Sequence, residues 1–200
     1  MSKIIVSEFL TLDGVMEAPG GEPGHPYSGW VHDFMSPEQL RYKLDEVLEA
    51  QSLLIGRITY ESFAAAWPAR SSGAPSADPR SEMEVFADKM NEMPKHVVST
   101  SLRHPEWNNS KVIKGNVAAE IARLKKSEDG PILVAGSRTL VHTLMAHDLI
   151  DEYRLMIFPV LLGSGRRLFP DTSHKTVLRL ADTQKFSTGV VVHHYRRGSV

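Results

Sequence analysis

Ile132-Leu133-Val134-Ala135-Gly136-Ser137-Arg138-Thr139-Leu140 is the stretch on which the fold turns. An apolar, β-branched run from Pro131 to Ala135 stops at a glycine, and a helical pattern from Arg138 to Ala146 follows at once. Unbroken apolar runs this short, without alternation, belong to strands buried on both faces, as in parallel sheets flanked by helices. The same figure occurs earlier. Ser52-Leu53-Leu54-Ile55 ends at Gly56, and a helix is expected from Thr59 to Ala66.

Working outward, Lys3 to Leu10 reads as the first strand, closed by the turn Asp13-Gly14. Ser36-Pro37-Glu38 starts a helix with Ser as N-cap, Pro in the first turn and an acid near the positive end of the dipole. Leu40, Leu44, Val47 and Leu48 are its expected buried stripe. Glu82 to Glu92 is helical, Lys95 to Ser99 a strand, Asn116 to Lys126 a helix, and Glu152 to Val160 a longer strand. Asp151 and Glu152 are expected to start that strand and face solvent. Val177 to Phe186 and Val190 to Arg196 close the chain as a hairpin through Ser187-Thr188-Gly189. Two Pro/Gly-rich loops interrupt this order, Met16 to Trp30 and Pro68 to Pro79, and a loop as long as the first usually covers a site. The pattern predicts one α/β domain over 1–200, a mostly parallel central sheet covered on both faces, with a C-terminal antiparallel hairpin.

Composition removes several functions. The 200 residues carry 23 Lys+Arg against 24 Asp+Glu, a net charge of −1, which gives no pull toward nucleic acid or acidic lipid. The absence of cysteine excludes disulfides, thiolate nucleophiles and Cys-type metal sites. His193 and His194 are adjacent on a strand and point to opposite faces, so no metal is expected. No run approaches the ~18 apolar residues of a membrane span, and Glu8 interrupts any signal-peptide core, so a cytoplasmic protein is expected. The chemistry is left to oxygen and nitrogen groups or to a cofactor.

In open α/β sheets ligands sit beyond the carboxyl ends of the strands. That rule places Gly56-Arg57-Ile58-Thr59, Ser99-Thr100-Ser101 and Gly136-Ser137-Arg138-Thr139 on one rim. Glycine allows close backbone approach, helix N-termini offer unpaired N–H groups, and Arg57 and Arg138 can make forked phosphate contacts. Neither G-x-G-x-x-G nor a P-loop occurs.

Phe9-Leu10-Thr11-Leu12-Asp13-Gly14-Val15 resembles the S-L-D-G segment of the dihydrofolate-reductase-like superfamily. Gly56-Arg57-Ile58-Thr59-Tyr60-Glu61 is similar to its G-R-x-T-x-E turn, and Ile132 to Ser137 with Leu140 to its second glycine segment. Leu149 to Leu155, running into Pro159-Val160-Leu161-Leu162-Gly163-Ser164-Gly165-Arg166-Arg167-Leu168-Phe169, resembles the signature of the riboflavin-biosynthesis reductase domain. The resemblance covers nearly the whole chain in order. It implies a three-layer αβα fold and an NADPH-dependent reductase acting on a small planar nitrogen heterocycle, often as a homodimer. By the same resemblance Gly56, Arg57 and Thr59 meet cofactor phosphates, and Ser99 and Thr100 lie near the adenosine phosphate. Gly136, Ser137, Arg138 and Thr139 would wrap the pyrophosphate.

Asp13 and Glu38 stand as the catalytic candidates. Classical folate reductases carry a carboxylate on the first helix; here Gln39 takes that register, and Glu38 lies about 100° around the helix from it. The alternatives are a folate or pterin reductase, against which Gln39 speaks, and a non-catalytic nucleotide-binding module. Trp30 and Trp67 border the two loops and suit either core packing or stacking on a planar substrate.

Overall fold

A computed structural model of the chain describes residues 2–71, 80–171 and 175–198. The strands are β1 (Ile4–Thr11), β2 (Ser52–Gly56), β3 (Lys95–Val98), β4 (Ser110–Ile113), β5 (Ile132–Val134), β6 (Glu152–Phe158), β7 (Leu178–Lys185) and β8 (Val191–Arg197). The helices are α1 (Pro37–Glu49), α2 (Arg57–Ala66), α3 (Glu82–Glu92), α4 (Val117–Ser127) and α5 (Arg138–Ala146). One eight-stranded sheet has the order β4-β3-β2-β5-β1-β6-β8-β7. The first six run parallel, while β8 pairs antiparallel with both β6 and β7. The mostly parallel sheet and its C-terminal hairpin are therefore as the sequence pattern predicts.

Alternation along the central strands divides the core. Ile4, Val6, Leu10, Leu54, Ile132 and Val134 pack on one face with Ile121 of α4 and Leu140, Val141 and Leu144 of α5. Ile5, Leu53, Ile55 and Leu133 face the other way, against Leu44 and Val47 of α1, Tyr60 of α2, and Phe86 and Met90 of α3. Helices on both faces make the three layers. A third cluster, with Trp30, Val31, Phe158, Phe186 and Val192, seals the sheet where the Pro/Gly-rich loop folds over it.

Local signals set the helix boundaries. The Ser36 hydroxyl accepts the Gln39 N–H at the start of α1, and Ser81 with Glu84 forms a reciprocal capping box on α3. Pro68–Arg70 forms a 3-10 turn; the rest of the predicted loop, 72–79, lies outside the described residues.

Three expectations need correction, each for a tertiary reason. Leu48 is 47% exposed; Leu44 and Val47 are buried as expected, and Gln39 and Glu46 complete the buried face of α1. Glu152 is 3% exposed, because Arg154 and Arg196 meet its carboxylate at 2.9 and 3.1 Å. Asp151 accepts the backbone N–H of Ile4 at 2.8 Å and pairs with Lys125, tying β6 to β1 and α4. The strand β4 was not foreseen: it is four residues at the sheet edge, with Lys111 exposed and no alternation long enough to read. Trp30 and Trp67 both pack into the core, Trp30 on Phe158 with its indole N–H on the Glu17 carbonyl, Trp67 on Phe86.

Candidate active site

The carboxyl ends of β1 to β6 share one rim, and the turn joining β7 to β8 lies at the same end. Two glycine turns meet there. The Gly56 N–H donates to the Gly136 carbonyl at 3.3 Å. A Cβ on Gly56 would stand 2.2 Å from Ser137 Oγ, and one on Gly136 would stand 2.8 Å from Thr59 Oγ1. Gly56, Thr59, Gly136 and Ser137 are thus in mutual contact, and Gly136 takes a positive φ of 82° that favours glycine.

This interlock brings the starts of α2 and α5 together. Gly56 and Ser137 are the N-caps, and neither helix has a side-chain cap. First-turn N–H groups of both helices are therefore left for another acceptor, with the positive ends of two dipoles beside them. Ser99 and Thr100 follow β3, adjacent to β2, with Val98 in register with Gly56. Thr100 is exposed; the Ser99 hydroxyl is used locally, accepting the N–H groups of Ser101 and Leu102. Arg57 pairs with Glu61 at 2.8 Å on an exposed face of α2. Arg138 donates from Nε to the Arg167 carbonyl at 2.7 Å, and Thr139 is exposed beside it. The arrangement can hold a phosphate-bearing ligand, chiefly through backbone donors and two arginines.

The two candidate carboxylates are already engaged. Asp13 accepts the Thr11 hydroxyl at 2.5 Å and the N–H of Gly163 at 2.9 Å, with Leu162 N–H at 3.3 Å. The Thr11 hydroxyl above all, then those N–H groups, hold its carboxyl below the usual range. Its own carbonyl accepts Arg167 Nε, so Asp13 fastens the 160–168 loop to the end of β1. Glu38 is exposed, and its carboxylate accepts both the N–H and the hydroxyl of Ser187 at 3.1 Å. Gln39, next to it, is 1% exposed; Thr188 donates to its Oε1 at 3.5 Å, and its Nε2 has no partner among the described residues.

Sequence reading missed the polar groups beneath the rim. The Glu8 side chain is buried on the α5 face of the sheet and accepts the Gly136 N–H at 2.7 Å. Burial pushes its carboxyl up to about 8, against the Gly136 N–H and the Lys43 charge, so it is mostly protonated at neutral pH. On the opposite face Lys43 donates to Ser7 Oγ at 2.8 Å and to Glu46, and its ammonium lies 5.3 Å from the Phe9 ring. The signal was available: Ser7-Glu8 interrupts a strand that is otherwise apolar and central.

The sequence profile of the RibD C-terminal domain matches residues 2–192. The chain belongs to that family. Relatives in Bacillus subtilis (strain 168) include the uncharacterised proteins YwjB, 39% identical over 194 residues (97% of this chain, 98% of that protein), and YyaP, 30% identical over 195 residues (96% and 95%). Among solved structures, this RibD C-terminal domain is similar to a protein assigned to riboflavin biosynthesis from Shewanella sp. PV-4. That likeness has a TM-score of 0.70 at 19% identity, over 98% of this chain and 99% of the other. A pyrimidine reductase-like protein from Corynebacterium diphtheriae matches with a TM-score of 0.63 at 11% identity, over 100% and 93%. At such identities the likeness is one of fold, the α/β fold with a mostly parallel sheet and a C-terminal antiparallel hairpin. Among the described residues of this RibD domain no helix is long and apolar enough to cross a membrane.

Proposed function

We propose that the protein is an NADPH-dependent, cytoplasmic reductase that transfers hydride to a planar nitrogen heterocycle, most like the reduction of 5-amino-6-(5-phosphoribosylamino)uracil. The interlocked turns at Gly56 and Gly136 carry this reading, because they bring two uncapped helix starts and two arginines to one rim. Membership of the RibD C-terminal domain family supports a reductase-like role.

Bound NADPH supplies the hydride; the chain's residues bind, orient and exclude water. Gly56, Arg57 and Thr59 on one side, and Gly136, Ser137, Arg138 and Thr139 on the other, would hold the phosphates, with Ser99 and Thr100 toward the adenosine end. Leu12, Ile58 and Leu161, all just past the helix starts or strand ends of this rim, are 61–68% exposed and offer apolar surface to the planar rings. Gln39 speaks against a pterin, because an amide stands where the first helix would carry a carboxylate to accept from the ring. The occupied carboxylates of Asp13 and Glu38 speak for positioning rather than proton transfer, and they are the specific observation that keeps a non-catalytic module as the second reading.

Oxidation of NADPH, followed by its absorbance with the pyrimidine and with dihydrofolate in parallel, separates these readings. The expected result is turnover with the pyrimidine only; turnover with dihydrofolate alone overturns the substrate assignment, and binding without turnover supports the module. Arg57→Ala is expected to weaken NADPH by about tenfold more than NADH, one charge-assisted contact to the adenosine phosphate. Equal weakening would place Arg57 at the pyrophosphate. The family resemblance also implies a homodimer, and the exposed edge strand β7, with Leu180 at 48%, is the surface that supports it. Sedimentation at micromolar concentration is expected to give twice the 22.3 kDa chain mass, and a monomer would refute it.

A further inference from the structure

We infer that Glu8 is a positioning residue of the ligand site, and that a phosphate-bearing ligand at the paired glycine turns and a proton on the Glu8 carboxyl bind together, each favouring the other. The inference rests on reading that rim as a dinucleotide site. Its own basis is the link from carboxyl to turn: Glu8 Oε1 takes the Gly136 N–H at 2.7 Å, and Gly136 opens the turn that starts α5. The side chain is buried, so its charge state is felt at the turn rather than screened by solvent.

The surroundings of Glu8 give the sign. Its face of the sheet is apolar, with Val6, Leu10, Val134, Leu140 and Leu168 in one cluster. From β5 and its turn comes only the Gly136 N–H; from β6 its register partner is Leu155. From α5 come Arg138 and His142, directed to the carbonyls of Arg167 and Leu168. From α1, Lys43 exerts the one opposing charge that acts on Glu8 among the described residues, and it is bound to Ser7 and Glu46. A carboxylate so poorly compensated and a phosphate at the same turn repel each other, whereas the protonated carboxyl keeps its hydrogen bond to Gly136 and adds no charge. With the carboxyl pushed up to about 8, close to half of the unliganded protein is ionised at pH 8, and ligand binding draws a proton in.

Calorimetric titration of the whole chain with NADPH at pH 8, in two buffers of different ionisation enthalpy, counts that proton. The wild type is expected to take up about half a proton per NADPH more than Glu8→Gln, whose amide oxygen still accepts the Gly136 N–H. The difference is expected to shrink toward zero at pH 6.5, where Glu8 is already protonated. Equal proton counts in the two proteins at pH 8 overturn the inference while leaving the dinucleotide site standing. No binding of NADPH by the wild type overturns the site itself, and the linkage with it. Should Glu8→Gln fail to fold, the wild type decides between about pH 7.5 and 9, above the range in which the ligand's phosphate monoester titrates: uptake that grows there supports the linkage, and a flat count refutes it.

Discussion

Gly56→Ala is expected to weaken NADPH binding at least tenfold and to lower the stability of the fold by about 1–3 kcal/mol, the usual cost of overpacking a filled contact. The reason is position rather than backbone conformation. Gly56 has a φ of −80°, which alanine adopts freely, so any effect reports the space beside it. The new Cβ would stand 2.2 Å from Ser137 Oγ, 3.0 Å from Ser137 Cβ and 3.3 Å from its backbone nitrogen. Relief requires the turn after β5 to move away from the turn after β2, and with it the N–H groups at the start of α5. Ser137→Gly removes the first two obstructions, so the double variant Gly56→Ala, Ser137→Gly is expected to recover most of the lost stability. Thermal unfolding and NADPH fluorescence, measured on the single and double variants, check both parts. Wild-type behaviour in Gly56→Ala would mean that the two turns do not interlock.

Arg154→Met is expected to cost about 3–5 kcal/mol, because it removes the guanidinium shared by three carboxylates under α1. Arg154 reaches Glu152 at 2.9 Å, Glu49 at 2.8 Å and Glu46 at 3.7 Å. Glu46 and Glu152 have side chains only 2% and 4% exposed, so the loss leaves buried charge, partly compensated by Lys43 and Arg196. Glu49, half exposed, supplies the control, and Glu49→Gln is expected to cost under about 1 kcal/mol. The pH dependence has a definite sign. Burial alone would raise the Glu152 carboxyl, but Arg154 and then Arg196 hold it below its ordinary value. Its stabilisation is therefore present above the unfolded value of 4.5 and is lost as pH falls through the lower folded one. Without Arg154, burial dominates and the carboxyl moves up, so protonation relieves the variant. The stability gap between wild type and Arg154→Met should narrow below about pH 5; denaturant unfolding at several pH values reads it.

These two sites mark where the sequence was legible and where it was not. Helix starts were readable because they are local: Ser36 and Ser81 accept N–H groups three residues on. The buried parallel strands were readable because Leu53–Ile55 and Ile132–Val134 need apolar residues on both faces. The rim segments followed from strand order. Their contact did not, since Gly56 and Ser137 lie far apart in the chain and meet only because β2 and β5 are neighbours. Glu152 was misread for the same reason. Glu46 gains Ser7 from β1 and Arg154 from β6, beside Lys43 of its own helix, and Glu152 gains Arg196 from β8. Asp13 was read at the mouth of the first strand and Glu38 on the first helix, but the partners that occupy them, Gly163 and Ser187, come from segments about 150 residues away.

The central claim is that the rim at Gly56 and Gly136 holds NADPH, and a fluorescence titration of the purified protein with NADPH tests it most directly. Saturable, one-to-one binding in the wild type, weakened at least tenfold by Gly56→Ala, is the predicted result. No saturable binding by a folded wild-type protein, or binding indifferent to Gly56→Ala, would contradict it.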